Sequence, residues 1–146
     1  IHRNIANIVP PYDYLAEHSG TIAAIEFGIT ALNIKNIIVM GHSGCGGIKN
    51  GYQMCLKDSF DPDSSISNWL KLLKPAYKKI SGKEEDERIK SMEKVSIIES
   101  LENLNTYPFI SRGLKSSKIV LYGVWNDIGT GSIETYDFEK KKFIKI

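Results

Sequence analysis

The stretch NIIVMGHSGCGGIKNGYQMCL, residues 36–56, constrains the fold more than any other. Residues 36–40 form a uniformly apolar, β-branched run after the asparagine, the pattern of a parallel strand buried on both faces. Residues 41–47, GHSGCGG, are more than half glycine, and the segment from Ile48 onward reads as a helix. Strand, glycine-rich loop and helix in succession make up the unit at whose loop α/β proteins place their sites. The flanking sequence agrees. TIAAIEFGITAL (21–32) is apolar on most of its surface, as a helix packed between other elements would be.

Downstream, Ile66, Trp69, Leu70, Leu73, Ala76, Tyr77 and Ile80 recur at helical spacing, with Ser65 or Ser67 available as a cap and Pro75 placed to kink the middle. SGKEEDERIKS (81–91) reads as a solvated loop running into a helix that continues through Ile89, Met92, Val95, Ile98, Leu101 and Leu104 and stops before Pro108. KIVLYGVW (118–125) is a second apolar strand; SIETYDF then alternates as a half-exposed strand does, and EKKKFIKI reads as a solvated strand edge. The fold class is therefore α/β: a mostly parallel central sheet flanked by helices, with a late antiparallel edge strand. The 146 residues read as a single domain, 1–146.

The loop pairs His42 with Cys45 at H-x-x-C spacing, which by itself is a weak signal. Four readings are open. It is a tight turn needing glycine, or a metal site joining an imidazole to a thiolate in a pair suited to Zn²⁺, or an anion cradle at a helix N-terminus, or a thiol activated by that helix end. The Lys-Ser/Thr pair of a phosphate loop is missing, since Ile48, Lys49 and Asn50 follow the glycines. Zinc needs at least one further protein ligand. Cys55 lies inside the following helix and reads as a small buried apolar residue, while His2 and His18 have no distinctive context.

Net charge is +2, with Lys and Arg interspersed among Asp and Glu, which gives no basis for a nucleic-acid partner. No apolar run approaches the ~20 residues of a membrane helix. Two cysteines do not make a secreted disulfide framework, and a cytoplasmic setting is expected. The chain opens at Ile1 rather than methionine, so it is read as truncated upstream, which leaves a targeting segment open.

HRNIANIVPPYD, GTIAAIEFGITALNIKNIIVMGHSGCGGIK, SNWL, SLENLNTYPFI and LYGVWNDIGTGSIETYD occur here in the order found in β-class carbonic anhydrases, and the chain resembles the branch that includes plant chloroplast enzymes. The resemblance implies zinc-dependent, reversible hydration of carbon dioxide to bicarbonate, with His42 and Cys45 two of three protein ligands. It implies that Ile5 and Phe27 line a substrate pocket shared between subunits of a homodimer or larger assembly, and that Arg3, near the site, supports structure or bicarbonate; from the sequence alone Arg3 reads equally as a strand-end salt bridge. From the sequence alone, Ile5 and Phe27 read as core. The family's remaining ligand belongs to a C-x-D-x-R motif whose Asp and Arg form a catalytic dyad, and that motif occurs nowhere in these residues. The same upstream segment is implied to carry a central parallel strand, lying between one near IHRNI and NIIVM. Phe27 stands where tyrosine is usual, and Lys94 where an Asn-Val pair is common. Two alternatives remain: an inactive zinc-binding or structural relative lacking the first cysteine and the dyad, and a cysteine-dependent enzyme using Cys45.

Overall fold

The computed structural model describes residues 1–12 and 19–146; His18 lies outside the described residues. Strands β1 (Asn36–His42), β2 (Val120–Asn126), β3 (Ile133–Asp137) and β4 (Lys142–Lys145) form one sheet in that order. β1 and β2 are parallel, with Asn36 opposite Val120 and His42 opposite Asn126. β3 and β4 follow antiparallel, so the sheet opens parallel and closes on the expected antiparallel edge. Helix α1 (Gly20–Thr30) precedes β1. The crossover to β2 carries α2 (Gly46–Lys57), α3 (Ser65–Leu70), α4 (Lys74–Lys79), α5 (Glu85–Thr106) and α6 (Pro108–Lys115).

α5 organises the interior. Glu85, Asp86 and Glu87 occupy its first turn, where carboxylates suit the positive helix end, and Glu87 reaches back to the Glu84 amide at 3.5 Å. Its C-terminal half, through Ile97, Leu101 and Leu104, packs with Ile37, Val39, Trp125, Tyr107 and Ile110 into one core. The N-terminal half, through Ile89 and Met92, joins Ile8, Ile48, Tyr52, Leu70 and Leu73 in a second. The loop at 41–47 lies where the two meet, since Cys45 belongs to the second core and β1 to the first.

Several expectations are corrected. β1 is not buried on both faces: Ile37 and Val39 point into the core, while Ile38 and Met40 are 60% and 53% exposed. α5 covers one face of the β1–β2 pair, and Val120 and Tyr122 lie exposed beside Ile38 and Met40 on the other. α1 forms, but only Thr21, Ile22 and Gly28 are buried in it, because a helix apolar all round buries only the stripe that meets a neighbour. The helix expected across 65–80 is broken into α3, a 3-10 turn at Lys71–Leu73, and α4, whose first turn takes Pro75; its cap is Ser64, one residue before the candidates. The strand implied near IHRNI is absent: residues 1–4 have no regular structure and Ile5–Asn7 form a 3-10 turn. Pro108 does stop α5, and it also starts α6, an element the sequence reading did not separate.

Candidate metal centre

His42 ends β1, and its Nδ1 lies 2.9 Å from the Ser43 carbonyl oxygen. A carbonyl only accepts, so in the neutral ring Nδ1 carries the proton and Nε2 holds the lone pair, the arrangement of a metal-binding imidazole. Gly44 has φ +68°, a left-handed conformation that costs glycine nothing. Cys45 follows as the N-cap of α2, 8% exposed, with its carbonyl accepting from the Lys49 amide at 2.9 Å and its side chain making no capping bond. Gly47 is required by close approach: a Cβ there would lie 2.6 Å from Ile5 Cγ2 and 3.2 Å from Ala6 Cβ.

The sequence reading missed Glu93. It is a charged residue 3% exposed on α5. Its Oε1 accepts from the amides of Gly44 at 2.7 Å and Cys45 at 3.3 Å, and its Oε2 from Trp125 Nε1 at 3.2 Å. Two loop amides are thereby consumed, which weakens the anion-cradle reading.

Ser96, Ser100 and Asn103 continue the stripe from Glu93 along α5. Asn7 donates to Ser96 Oγ at 3.3 Å, Ser100 accepts from Val9 N at 3.0 Å and donates to Asn7 O at 2.8 Å, and Asn103 donates to Val9 O at 2.8 Å. These bonds hold a turn in which Ala6 and Asn7 have φ +65° and +47°, values that cost non-glycine residues energy and persist only where surroundings enforce them. One helix face thus carries both chain segments that meet at Gly47. The detectable signal was the spacing of Glu93, Ser96, Ser100 and Asn103, which repeats at three and four residues on the same helix as the apolar stripe.

Of the other candidates, Ile5 is 50% exposed and stands against Gly47, beside the loop. Phe27 is 61% exposed on α1, so neither belongs to the core as the sequence alone suggested. Arg3 is exposed and forms no ion pair with any described residue. His2 bonds Thr21 Oγ1 at 3.0 Å. Lys94 Nζ sits 2.6 Å from Glu134 Oε2 and 4.4 Å from the Trp125 ring centroid, a structural role. Cys55 is a free, partly buried thiol pushed up from its ordinary range by desolvation, with Lys74 opposing and Asp58 adding, and it stays protonated near neutrality.

The donor chemistry fits zinc as part of a ligand set: a free Nε2 lone pair and an uncapped thiol on one short loop. Among the described residues, no group of three or more His, Cys, Asp or Glu side chains could hold a metal ion.

The family model described as carbonic anhydrase matches residues 1–133. Beta carbonic anhydrase 3 of Arabidopsis thaliana is 37% identical over 147 aligned positions, covering 97% of this chain and 56% of that protein. The chain therefore spans little more than half the length of that relative. Among solved structures, the β-carbonic anhydrase CcaA matches with a TM-score of 0.84 at 31% identity, over 99% of this chain and 70% of its own. A tetrameric β-carbonic anhydrase from the ascomycete Sordaria macrospora matches with a TM-score of 0.72 at 30% identity, over 92% and 66%.

Proposed function

Because the chain belongs to the carbonic anhydrase family, in its β class, we propose that its site serves the reversible hydration of carbon dioxide to bicarbonate, with His42 and Cys45 as two protein ligands of a zinc ion. The observation that carries the reading is the His42 ring, whose Nδ1 is spent on Ser43 O so that Nε2 is the nitrogen left to bind. Zinc, when bound in such a site, supplies a Lewis acid that makes water nucleophilic near neutral pH. The chain's own residues do the rest. The Ser43 carbonyl holds the imidazole in one tautomer and orientation, a support of the kind that metal ligands depend on. Gly44 allows the turn that returns the chain from His42 to Cys45. Ile5 and Phe27, both apolar, would offer carbon dioxide a wall without hydrogen-bonding groups in a pocket shared between subunits, with Arg3 available to support bicarbonate.

The assembly we infer is a homodimer or a higher homo-oligomer. Phe27, Ile38, Met40 and Tyr122 are large apolar side chains left open, the kind of surface that protein contacts cover. The Sordaria relatives are described as tetrameric. A cytoplasmic setting belongs to the same proposal, from the free cysteines; among the described residues, no helix is long and apolar enough to cross a membrane.

A second reading, an inactive zinc-binding or structural relative, is favoured by the lack of a third donor beside His42 and Cys45 among the described residues, which leaves the loop short of the three protein ligands of a catalytic zinc. Elemental analysis and stopped-flow hydration on the same preparations separate the two. His42→Ala and Cys45→Ser are expected to lose most bound zinc, since a tetrahedral site deprived of a ligand holds metal poorly, and Cys55→Ser to keep it. Zinc unchanged in both loop variants sinks the assignment, and zinc retained with no hydration selects the second reading.

A further inference from the structure

We propose that Glu93 is the positioning residue of the loop: its carboxylate fixes the backbone of Gly44 and Cys45, and with it the place of the Cys45 sulfur. The consequence for metal rests on the reading of Cys45 as a ligand; the geometry does not. A carboxylate only 3% exposed is costly unless compensated. No described lysine or arginine forms an ion pair with Glu93. Its compensation is three N–H donors: Gly44 at 2.7 Å, Cys45 at 3.3 Å and the Trp125 indole at 3.2 Å. Both oxygens are engaged, so Glu93 holds the loop from behind and is not itself a metal ligand.

The indole prevents the carboxylate from turning. Trp125 is 1% exposed, with Lys94 Nζ 4.4 Å and Lys90 Nζ 5.2 Å from its ring centroid, and it pairs with Gly41 in the β1–β2 register, one residue before His42. A single side chain therefore ties α5 and β2 to the loop between His42 and Cys45. The choice of a carboxylate follows from the donors. An amide at this position would aim its NH2 at either the indole N–H or the loop amides, leaving buried donors facing one another.

The test needs no metal at first. Among these 146 residues a Cys55→Ser background leaves Cys45 as the one thiol, and alkylation of Cys45 by a maleimide, followed on its own peptide by mass spectrometry, reports how well the loop is held. Glu93→Gln is expected to raise the alkylation rate about tenfold or more, as expected for losing a charge-assisted bond. Trp125→Phe alone should change it by less than about threefold. Glu93→Gln with Trp125→Phe should return it to within about threefold of the parent, because the amide oxygen can then serve both loop N–H groups without an opposing indole. Cobalt(II) titration supplies the second reading: the sulfur-to-cobalt charge-transfer band should weaken in Glu93→Gln and recover in the double variant. An alkylation rate unchanged in Glu93→Gln, no recovery in the double variant, or failure of both Glu93 variants to fold while Cys45→Ser folds, overturns the proposal. If the alkylation series behaves as expected and the parent shows no cobalt–thiolate band, the zinc reading fails and the role of Glu93 in placing Cys45 stands.

Discussion

The two faces of the β1–β2 pair are built from the same kinds of residue and have opposite surroundings. On one face, Ile37, Val39 and Trp125 are buried under α5. Ile97 descends between the strands, where Cβ atoms on Gly41 and Gly123 would lie 2.9 Å and 3.0 Å from its methyl carbons. On the other face, Ile38, Met40, Val120 and Tyr122 stand open, between 41% and 60% exposed. Apolarity is thus a property of the strand, while burial belongs to what is laid against it. A run such as NIIVM, which reads as doubly buried, can have one face committed to the core and the other available for a neighbour.

The largest expected effect breaks the comparison from its packed side. Ile97→Ala removes a side chain with no exposure from the junction of helix and sheet, and should cost about 3 kcal/mol in urea unfolding, since the glycines beneath it have nothing with which to fill the space. A loss near that of a surface substitution would mean that α5 is not seated as described.

An intermediate effect comes from Tyr107, in the same core, with its hydroxyl donating to Pro10 O at 2.8 Å and its ionisation pushed up to about 12 by burial. The unfolded chain, with an ordinary tyrosine, releases that proton first, at a pH of about 10. The stability this group confers is therefore complete below pH 10 and is lost progressively as the pH climbs toward 12, by up to roughly 2 kcal/mol. Denaturant midpoints measured across that window should fall more steeply for the parent than for Tyr107→Phe. Parallel slopes would show that the phenol is solvated.

The smallest effect on stability is expected on the open face. Ile38→Ser should shift the unfolding free energy of the isolated chain by no more than about 0.5 kcal/mol. Phe27→Asp, on the exposed side of α1, should do as little to folding and yet lower the mass seen by light scattering after size exclusion, because a carboxylate buried without a partner opposes association. Phe27→Tyr should leave the mass unaltered. An associated Asp variant would return Phe27 to solvent and leave the shared pocket without its aromatic wall.

Much of the site was legible because its chemistry is local. His42 and Cys45 lie three residues apart, Gly44 and Gly47 between and beside them mark a turn and a close approach, and strand and helix follow from apolar patterning on either side. The late antiparallel edge strand was legible too, from the alternation in SIETYDF, whereas the strand implied near IHRNI is not formed. Glu93 was not legible, because it lies 48 residues beyond Cys45 in the chain and a glutamate in a helix that begins EEDERIK looks like part of a solvated face. Ser96, Ser100 and Asn103 were hidden in the same way. Their partners, Asn7 and Val9, are about ninety residues away, and only the packed molecule brings those backbone groups to the helix.

By itself, the sequence determined which segments become helix and strand around the loop, and that the loop must turn through glycine and present an imidazole and a thiol, since these follow from backbone freedom and side-chain chemistry over a few residues. Only the tertiary structure decided which face of β1 is covered, that α1 keeps Phe27 out of the chain's own core, that the segment at Ile5 is a strained turn rather than a strand, and that the loop is held by a buried carboxylate. Burial and the pairing of distant N–H and C=O groups depend on what the rest of the chain places within hydrogen-bonding distance. That is set by how α5 crosses the sheet rather than by the pattern within any one segment.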